Sequence, residues 1–324
     1  MRGLRCSGPG PLDKVTTSRR SATKKAGARS SRRTTRPLRK DDDREAGDRR
    51  GQDAGVRPDR GERGQDLMHP GGTHHAVASE LQALANRQWR DYRAREPGTC
   101  FSDPAFALDL ARAYELQDAV TTLRVSAGDR LIGYKVGCTG PGTVQQFGME
   151  GPIRGCLFAN EVRRHRETLD LLNFASLAIE GEMAVRIGAD ATIAAVFPVI
   201  ELHHFVFRGA RKTLAELVAN NGLNGGFVLP HEGWLSSQDY AEIRGVLSVR
   251  ISGRLIASGE LWPMPGGVRA SLGWLCNHLA EAGLPLLPGQ IILAGTPLWL
   301  YPVRSGDHIA VFVDDEIGAE CTVL

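Results

Sequence analysis

The sequence predicts an α+β protein: a mixed, rolled β-sheet with flanking helices behind a disordered N-terminal tail. Three observations predict it. The first 67 residues hold 19 Lys or Arg against 10 Asp or Glu and no aromatic residue. Apolar residues recur at helical spacing between Val77 and Leu116. After Gly128 they gather into short β-type runs punctuated by Gly and Pro, without the strand-helix alternation of a parallel α/β sheet.

Residues 1–67 are too polar to offset the entropy of ordering them, so they read as a disordered basic tail, and 68–324 as the folded domain. The net charge of +3 is a sum of about +9 in the tail and −6 in the body. Arginine clusters such as Arg19-Arg20 and Arg32-Arg33 suit phosphates. No aromatic residue interleaves with them to stack on bases, so specific nucleic-acid binding is not expected. Met68 stands at the composition break and is a candidate start of the native protein. No run approaches the roughly 18 to 20 apolar residues of a membrane helix, so no span is expected. The cysteines, at positions 6, 100, 138, 156, 276 and 321, form no CxxC pair. With no secretory-type N-terminus, a reducing compartment, the cytoplasm, is expected.

Along the body, Leu81, Leu84, Ala85 and Trp89 predict a helix over 77–95, and a second is predicted over 104–116. Strands are predicted over 131–136, 183–187, 193–202, 246–251, 255–257, 291–293 and 309–313. Ser252-Gly253-Arg254 between two apolar runs predicts a tight hairpin. Residues 268–282 read as an amphipathic helix stopped by Gly283 and Pro285. No GxGxxG or Walker loop follows a strand, so no nucleotide cofactor is indicated.

Glu180 and Glu182 flank Gly181 at the start of an apolar strand, where residues two apart share a face about 6 to 7 Å apart. Two like charges there repel unless a cation joins them. Glu201 interrupts the apolar run 193–202, where an unpaired buried charge is costly. Three carboxylates without cysteine favour Mg²⁺ or Mn²⁺ over Zn²⁺. The competing reading is solvent-facing polarity on an edge strand, with Glu201 in a salt bridge. Of His203 and His204, alternation sends only one to the side of Glu201, and each reads first as a satisfied histidine. Lys135 lies in an apolar, glycine-bounded strand. Burial and a nearby cation would lower its pKa and let it exchange protons, unless it snorkels to the strand end. Glycine between the two glutamates permits close approach of another backbone or a ligand. The loop Asn220 to Gly226 either approaches a ligand or simply turns the chain. Thr296, in Ala294-Gly295-Thr296-Pro297, either offers its hydroxyl to a ligand or closes the roll.

These segments, in this order, resemble the 2-keto-4-pentenoate hydratase and 4-oxalocrotonate decarboxylase family of the fumarylacetoacetate hydrolase superfamily. The motifs are Ile132 to Gly137, Gly148 to Phe158, Ile179 to Glu182, Pro198 to Glu201, Asn221 with Gly225 to Leu229, Trp274 to Leu279, and Pro288 to Thr296. The resemblance implies a fumarylacetoacetate hydrolase-like rolled sheet, Mg²⁺ or Mn²⁺ held by Glu180, Glu182 and Glu201, and a proton-transferring Lys135. It implies substrate contacts from Ile153, Arg154, Asn221 and Thr296. The expected substrate is a small unsaturated 2-oxo or 2-hydroxydienoic acid from aromatic catabolism. The expected assembly is a homo-oligomer, with another catabolic enzyme as a candidate partner.

Departures from the common hydratase pattern touch the substrate assignment. Ile153 stands where many hydratases have an acidic residue, Leu223-Asn224 replace a hydroxyl pair, His204 replaces a frequent Asp, and Gly267-Val268 replace His-Pro. Hydration is the leading expectation. Decarboxylation of 2-oxohex-3-enedioate and carbon-carbon hydrolysis of acylpyruvates are the alternatives, with an inactive scaffold subunit or Arg-tailed interaction protein as the non-enzyme reading.

Overall fold

A computed structural model describes residues 71–140, 152–189, 192–204, 213–236 and 244–324, with the backbone alone for 71–78. The predicted tail 1–67, Met68, and residues 148–151 of the motif beginning at Gly148 lie outside the described residues.

Helix α1 spans Gly71–Arg93 and α2 spans Leu110–Ser126. The second helix thus starts and ends later than the predicted 104–116. Its cap explains the start: the Asp109 carboxylate accepts from the Arg112 N–H at 2.8 Å, whereas Asp103 is spent on a turn through Ala105 N at 2.9 Å. Burial of Leu116, Gln117 and Arg124 carries the helix through a β-branched stretch that propensity alone disfavours. Both helices pack with the short α3, Leu214–Ala219, in a core of Ala85, Leu116, Ile153, Leu217 and Val218.

Two sheets form the rest. The first comprises β1 (Leu131–Gly137), β2 (Ile153–Phe158), β3 (Val162–Arg163), β5 (Leu177–Ile187), β6 (Ile193–His204), β7 (Asn224–Val228), β10 (Ile291–Leu293) and β11 (Tyr301–Pro302). The second comprises β4 (Thr168–Leu169), β8 (Val246–Ile251), β9 (Arg254–Glu260), β12 (His308–Val313) and β13 (Glu316–Val323). The first runs β2-β1-β10-β5-β6-β7-β3 with β11 on β5, and the second β4-β13-β12-β8-β9. Most pairs are antiparallel, but β1 with β10, β3 with β7 and β4 with β13 are parallel, so the architecture is the mixed, rolled α+β one expected. Helix α4, Val268–Glu281, matches its predicted span to one residue and buries Leu275 and Leu279 in the main core.

The hairpin at Ser252 and Gly253 has positive φ at both, 50° and 80°, the geometry of a two-residue turn that follows strand twist. Where the sheets face each other, a Cβ on Gly181 would stand 2.5 Å from Val249 Cγ2 and 3.2 Å from Val311 Cγ2. The glycine therefore lets the second sheet close on β5 directly behind Glu180 and Glu182. Among the described residues no helix is long and apolar enough to cross a membrane.

Candidate active site and metal centre

Strand register builds the site. Glu180 lies directly opposite Glu201 across β5 and β6, and Glu182 opposite Val199, so alternation sends Glu180, Glu182, Glu201 and His203 to one face. Gly181 takes the other face, against the second sheet. Lys135 pairs with Leu293 on β10, which pairs with Ala184 on β5, so the lysine shares the carboxylates' face. With β10 and β5 between them along the sheet, Lys135 reaches Glu201 across its concave side, and Nζ forms an ion pair with Glu201 Oε1.

The cluster is almost dry. Lys135 is 3 %, Glu182 2 %, Glu201 1 % and His203 3 % exposed, whereas the Glu180 side chain, at 17 %, is the most exposed of the set. Ligand atoms of Glu180, Glu201 and His203 lie within 4.8 Å of one another. His203 Nε2 forms ion pairs at 3.3 Å with both Glu180 Oε2 and Glu201 Oε2, while its buried Nδ1 has no hydrogen-bond partner. The histidine that reads first as a satisfied one is thus Glu201's neighbour on the same face, with Nε2 held between two carboxylates that could equally share it with a cation. Glu182 stands beside this trio, hydrogen-bonded to Glu201, with its Oε1 accepting the Gly295 N–H at 2.5 Å.

Electrostatics follow from crowding like charges out of water. Burial, then Glu201 and Glu180, push the Glu182 carboxyl well above the usual range. Burial works the same way on Glu201, but Lys135 and His203 outweigh it and hold that carboxyl low. For His203, burial favours the neutral ring and Glu201 reverses it, raising the pKa. At Lys135 the three carboxylates set the balance. Burial does favour its neutral amine, but Glu201, Glu180 and Glu182 together overcome burial and raise its pKa. A group of carboxylate oxygens and an imidazole nitrogen that converge, stay buried and leave polar atoms unsatisfied fits a divalent cation.

The remaining predicted contacts divide. Ile153 does flank the lysine: a Cβ on Gly222 would lie 3.4 Å from Lys135 Cε and 3.5 Å from Ile153 Cδ1. Arg154 does not face the site, because one step along β2 turns it to the other side. There it is fully buried, with Nε 3.3 Å from Gln117 Oε1 and an ion pair to Asp118 on α2. Thr296 closes the roll rather than offering its hydroxyl: Oγ1 donates to Gly181 O at 2.7 Å and accepts from Leu298 N at 3.1 Å. Asn221 is engaged by the backbone of Cys156, whose N–H donates to Oδ1 at 2.6 Å and whose carbonyl accepts from Nδ2 at 2.9 Å.

Sequence reasoning missed three parts. The Gly222 carbonyl accepts from Lys135 Nζ at 3.1 Å, and the Gly295 amide holds Glu182. Backbone groups leave no residue-type signal. Cys138, in the left-handed region at φ 58°, has its thiol pushed up to about 12 by burial, with Glu180 and Glu201 adding to the rise against Lys135. Its position after Gly137 was the available signal.

No family model matches the chain. The chain is 30 % identical over 211 residues to the TodF product hydratase of Pseudomonas putida F1, covering 61 % of this chain and 78 % of that protein. It is 24 % identical over 218 residues to a 2-keto-4-pentenoate hydratase of Burkholderia vietnamiensis, covering 64 % and 83 % respectively. In fold it matches a 4-oxalocrotonate decarboxylase of Pseudomonas putida G7, solved with magnesium and adipate, at TM-score 0.69 and 22 % identity over 76 % of this chain and 98 % of the other. With the carboxylate cluster and the buried lysine at its centre, the chain belongs to the 2-keto-4-pentenoate hydratase and 4-oxalocrotonate decarboxylase family.

Proposed function

We propose that this protein is a divalent-metal-dependent lyase acting on an unsaturated 2-oxo or 2-hydroxydienoic acid, with hydration of 2-hydroxypenta-2,4-dienoate as its reaction. The observation that carries the reading is the convergence of Glu180, Glu201 and His203 within 4.8 Å, with Lys135 in ion contact with Glu201. Glu180, Glu201 and the adjacent Glu182 would hold Mg²⁺ or Mn²⁺, with His203 as a further candidate ligand. When bound, the cation supplies Lewis acidity, stabilising negative charge on the C2 oxygen of a chelated 2-oxo acid.

The chain's own residues supply the proton traffic. Lys135 Nζ is fixed between the Glu201 carboxylate and the Gly222 carbonyl, so its third direction is set toward substrate. A divalent charge held by Glu201 and Glu180 would weaken their hold on the ammonium, and burial would then favour the neutral amine. The lysine can thus move a proton along the conjugated carbons in both directions. Ile153 and the buried surroundings exclude bulk water from the lysine stem.

Ile153 also supports a second reading. An apolar side chain beside Lys135 offers no carboxylate to orient water and disfavours a charged group, which suits loss of a substrate carboxylate as CO₂. The test is incubation of the purified protein with Mg²⁺ and either 2-hydroxypenta-2,4-dienoate or 2-oxohex-3-enedioate, following dienoate absorbance and CO₂. Dienoate consumption without CO₂ is expected for the hydratase and CO₂ release for the decarboxylase, while silence on both removes the proposal.

The reading includes residues 1–67 as a basic tail outside a catalytic domain of 68–324, a homo-oligomer, and a cytoplasmic location. Intact mass and light scattering of the native protein test the first two, and fractionation the third.

A further inference from the structure

Asn221, Gly222 and Leu223 hold φ of 57°, 61° and 60°, three consecutive residues in the left-handed region, two of them not glycine. L-residues avoid that region because Cβ crowds the following carbonyl, so such a turn persists only where its surroundings hold it. Two anchors do so. The Asn221 side chain pairs with both the N–H and the carbonyl of Cys156 on β2, as a neighbouring strand would, and Leu223, 3 % exposed, is buried in the helical core. Between the anchors the turn presents the Gly222 carbonyl to Lys135 Nζ at 3.1 Å. The fit extends to β2: a Cβ on Gly155 would lie 2.7 Å from Lys135 Cγ and 2.9 Å from Asn221 O.

We infer that Asn221 is a positioning residue: it clamps a left-handed turn to β2 so that the Gly222 carbonyl aims the Lys135 amine, and it does not bind substrate. This rests on the proposed function only for the identity of the reaction. The carbonyl fixes one N–H of the lysine and Glu201 a second, leaving the remaining position of nitrogen directed at the substrate. Releasing the clamp lets the chain relax toward ordinary φ and withdraws the carbonyl, so the lysine gains rotamers rather than losing charge.

The test is Asn221→Ala, with Gly155→Ala as a second variant that crowds the same turn from β2. Steady-state kinetics on the preferred 2-oxo acid should show kcat reduced tenfold or more with KM within about twofold, the split expected when geometry in the transition state is lost. The crystal structure of Asn221→Ala should show the Gly222 carbonyl beyond hydrogen-bond distance from Lys135 Nζ, while Mn²⁺ titration followed by electron paramagnetic resonance should match wild type. A rise in KM at unchanged kcat would make Asn221 a substrate contact and overturn the inference, as would a Gly222 carbonyl left in place. If wild type turns over no 2-oxo acid, the functional reading fails, while the crystal structure still decides whether Asn221 holds the turn.

Discussion

Replacing Glu182 by Gln separates the protein's stability from its metal binding. Glu182 is 2 % exposed, its carboxyl is raised by burial and by Glu201, and it shares a hydrogen bond with Glu201. Two carboxyl groups share a hydrogen bond only through a proton, so the metal-free site keeps one there. Glutamine is the neutral isostere of that state. Its carbonyl accepts from Gly295 N–H as Oε1 does, and its amide donates to Glu201 where the proton did. In EDTA, urea unfolding of the variant should therefore lie within about 1 kcal/mol of wild type. A cation reverses the comparison, since glutamine brings a neutral oxygen where an ionised one is needed. Losing a ligand charge should weaken binding at least as much as losing a neighbour that orients a ligand, about 100-fold. At free Mn²⁺ near 100 times the wild-type Kd, binding stabilises wild type by about 2.7 kcal/mol but the variant by only about 0.4 kcal/mol. The gap of about 2 kcal/mol corresponds to roughly 5 °C in Tm for a body of this size. A wild-type Mn²⁺ response in the variant would reduce the ligand set to Glu180, Glu201 and His203. A loss of about 3 kcal/mol or more in EDTA would mean that Glu182 is ionised and paired, and would refute the shared proton.

Three further outcomes follow from particular contacts. Gly181→Val drives a branched side chain into Val249 and Val311, so it should cost about 1 to 3 kcal/mol and weaken Mn²⁺ binding by displacing the strand that carries Glu180 and Glu182, measurable by urea unfolding and metal titration. Thr296→Val leaves Gly181 O without its donor and Leu298 N without its acceptor, so stability should fall by about 1 to 3 kcal/mol while KM stays unchanged; a raised KM would return the hydroxyl to the substrate site. Burial raises the Glu320 carboxyl, but Arg166 and two histidines outweigh it and lower its pKa. A depressed acid stabilises above its unfolded pKa and loses that contribution as pH falls through the folded one. Because Arg166 and His308 are largely exposed, Glu320→Gln should cost only about 1 kcal/mol at pH 7, a gap that urea unfolding across an acid pH series should show narrowing as the pH falls through the carboxyl's lowered folded-state range.

The parts of the fold that could be read in advance are those whose residue pattern reports their own burial. β8, β10 and α4 are apolar runs bounded by turn residues, and their spans match the expectation to one residue at each end. β2 and β13 carry no such pattern, because Arg154, Gly155, Gly318 and Glu320 break their apolar runs. Each interruption answers to a neighbour: Arg154 to α2, and Gly318 to Pro198, whose Cγ would stand 2.0 Å from a Cβ there. No periodicity within the strand encodes such a partner. Helix α2 shows the same limit in reverse, since its second half is fixed by what Gln117 and Arg124 touch rather than by its propensity.

The same distinction sorts the candidate site. Glu180, Glu182, Glu201 and Lys135 were legible because strand parity alone puts the first two on one face, and charge within an apolar strand requires a partner. His203 follows from the same parity, two residues from Glu201, although a histidine in an apolar run reads first as a satisfied one. Arg154, Asn221 and Thr296 were carried over by motif, and each sits where the motif puts it, next to the site in sequence. Their side chains, however, bond to α2, to Cys156 and to Gly181. A motif preserves the position of a residue, but not which of its atoms does the work. At Asn221 and Thr296 the groups that reach the reactive cluster are neighbouring backbone ones, the carbonyl of Gly222 and the amide of Gly295. The side chains there hold a peptide in place, so substitutions should disturb catalysis through geometry while leaving the charge and chemistry of the cluster intact.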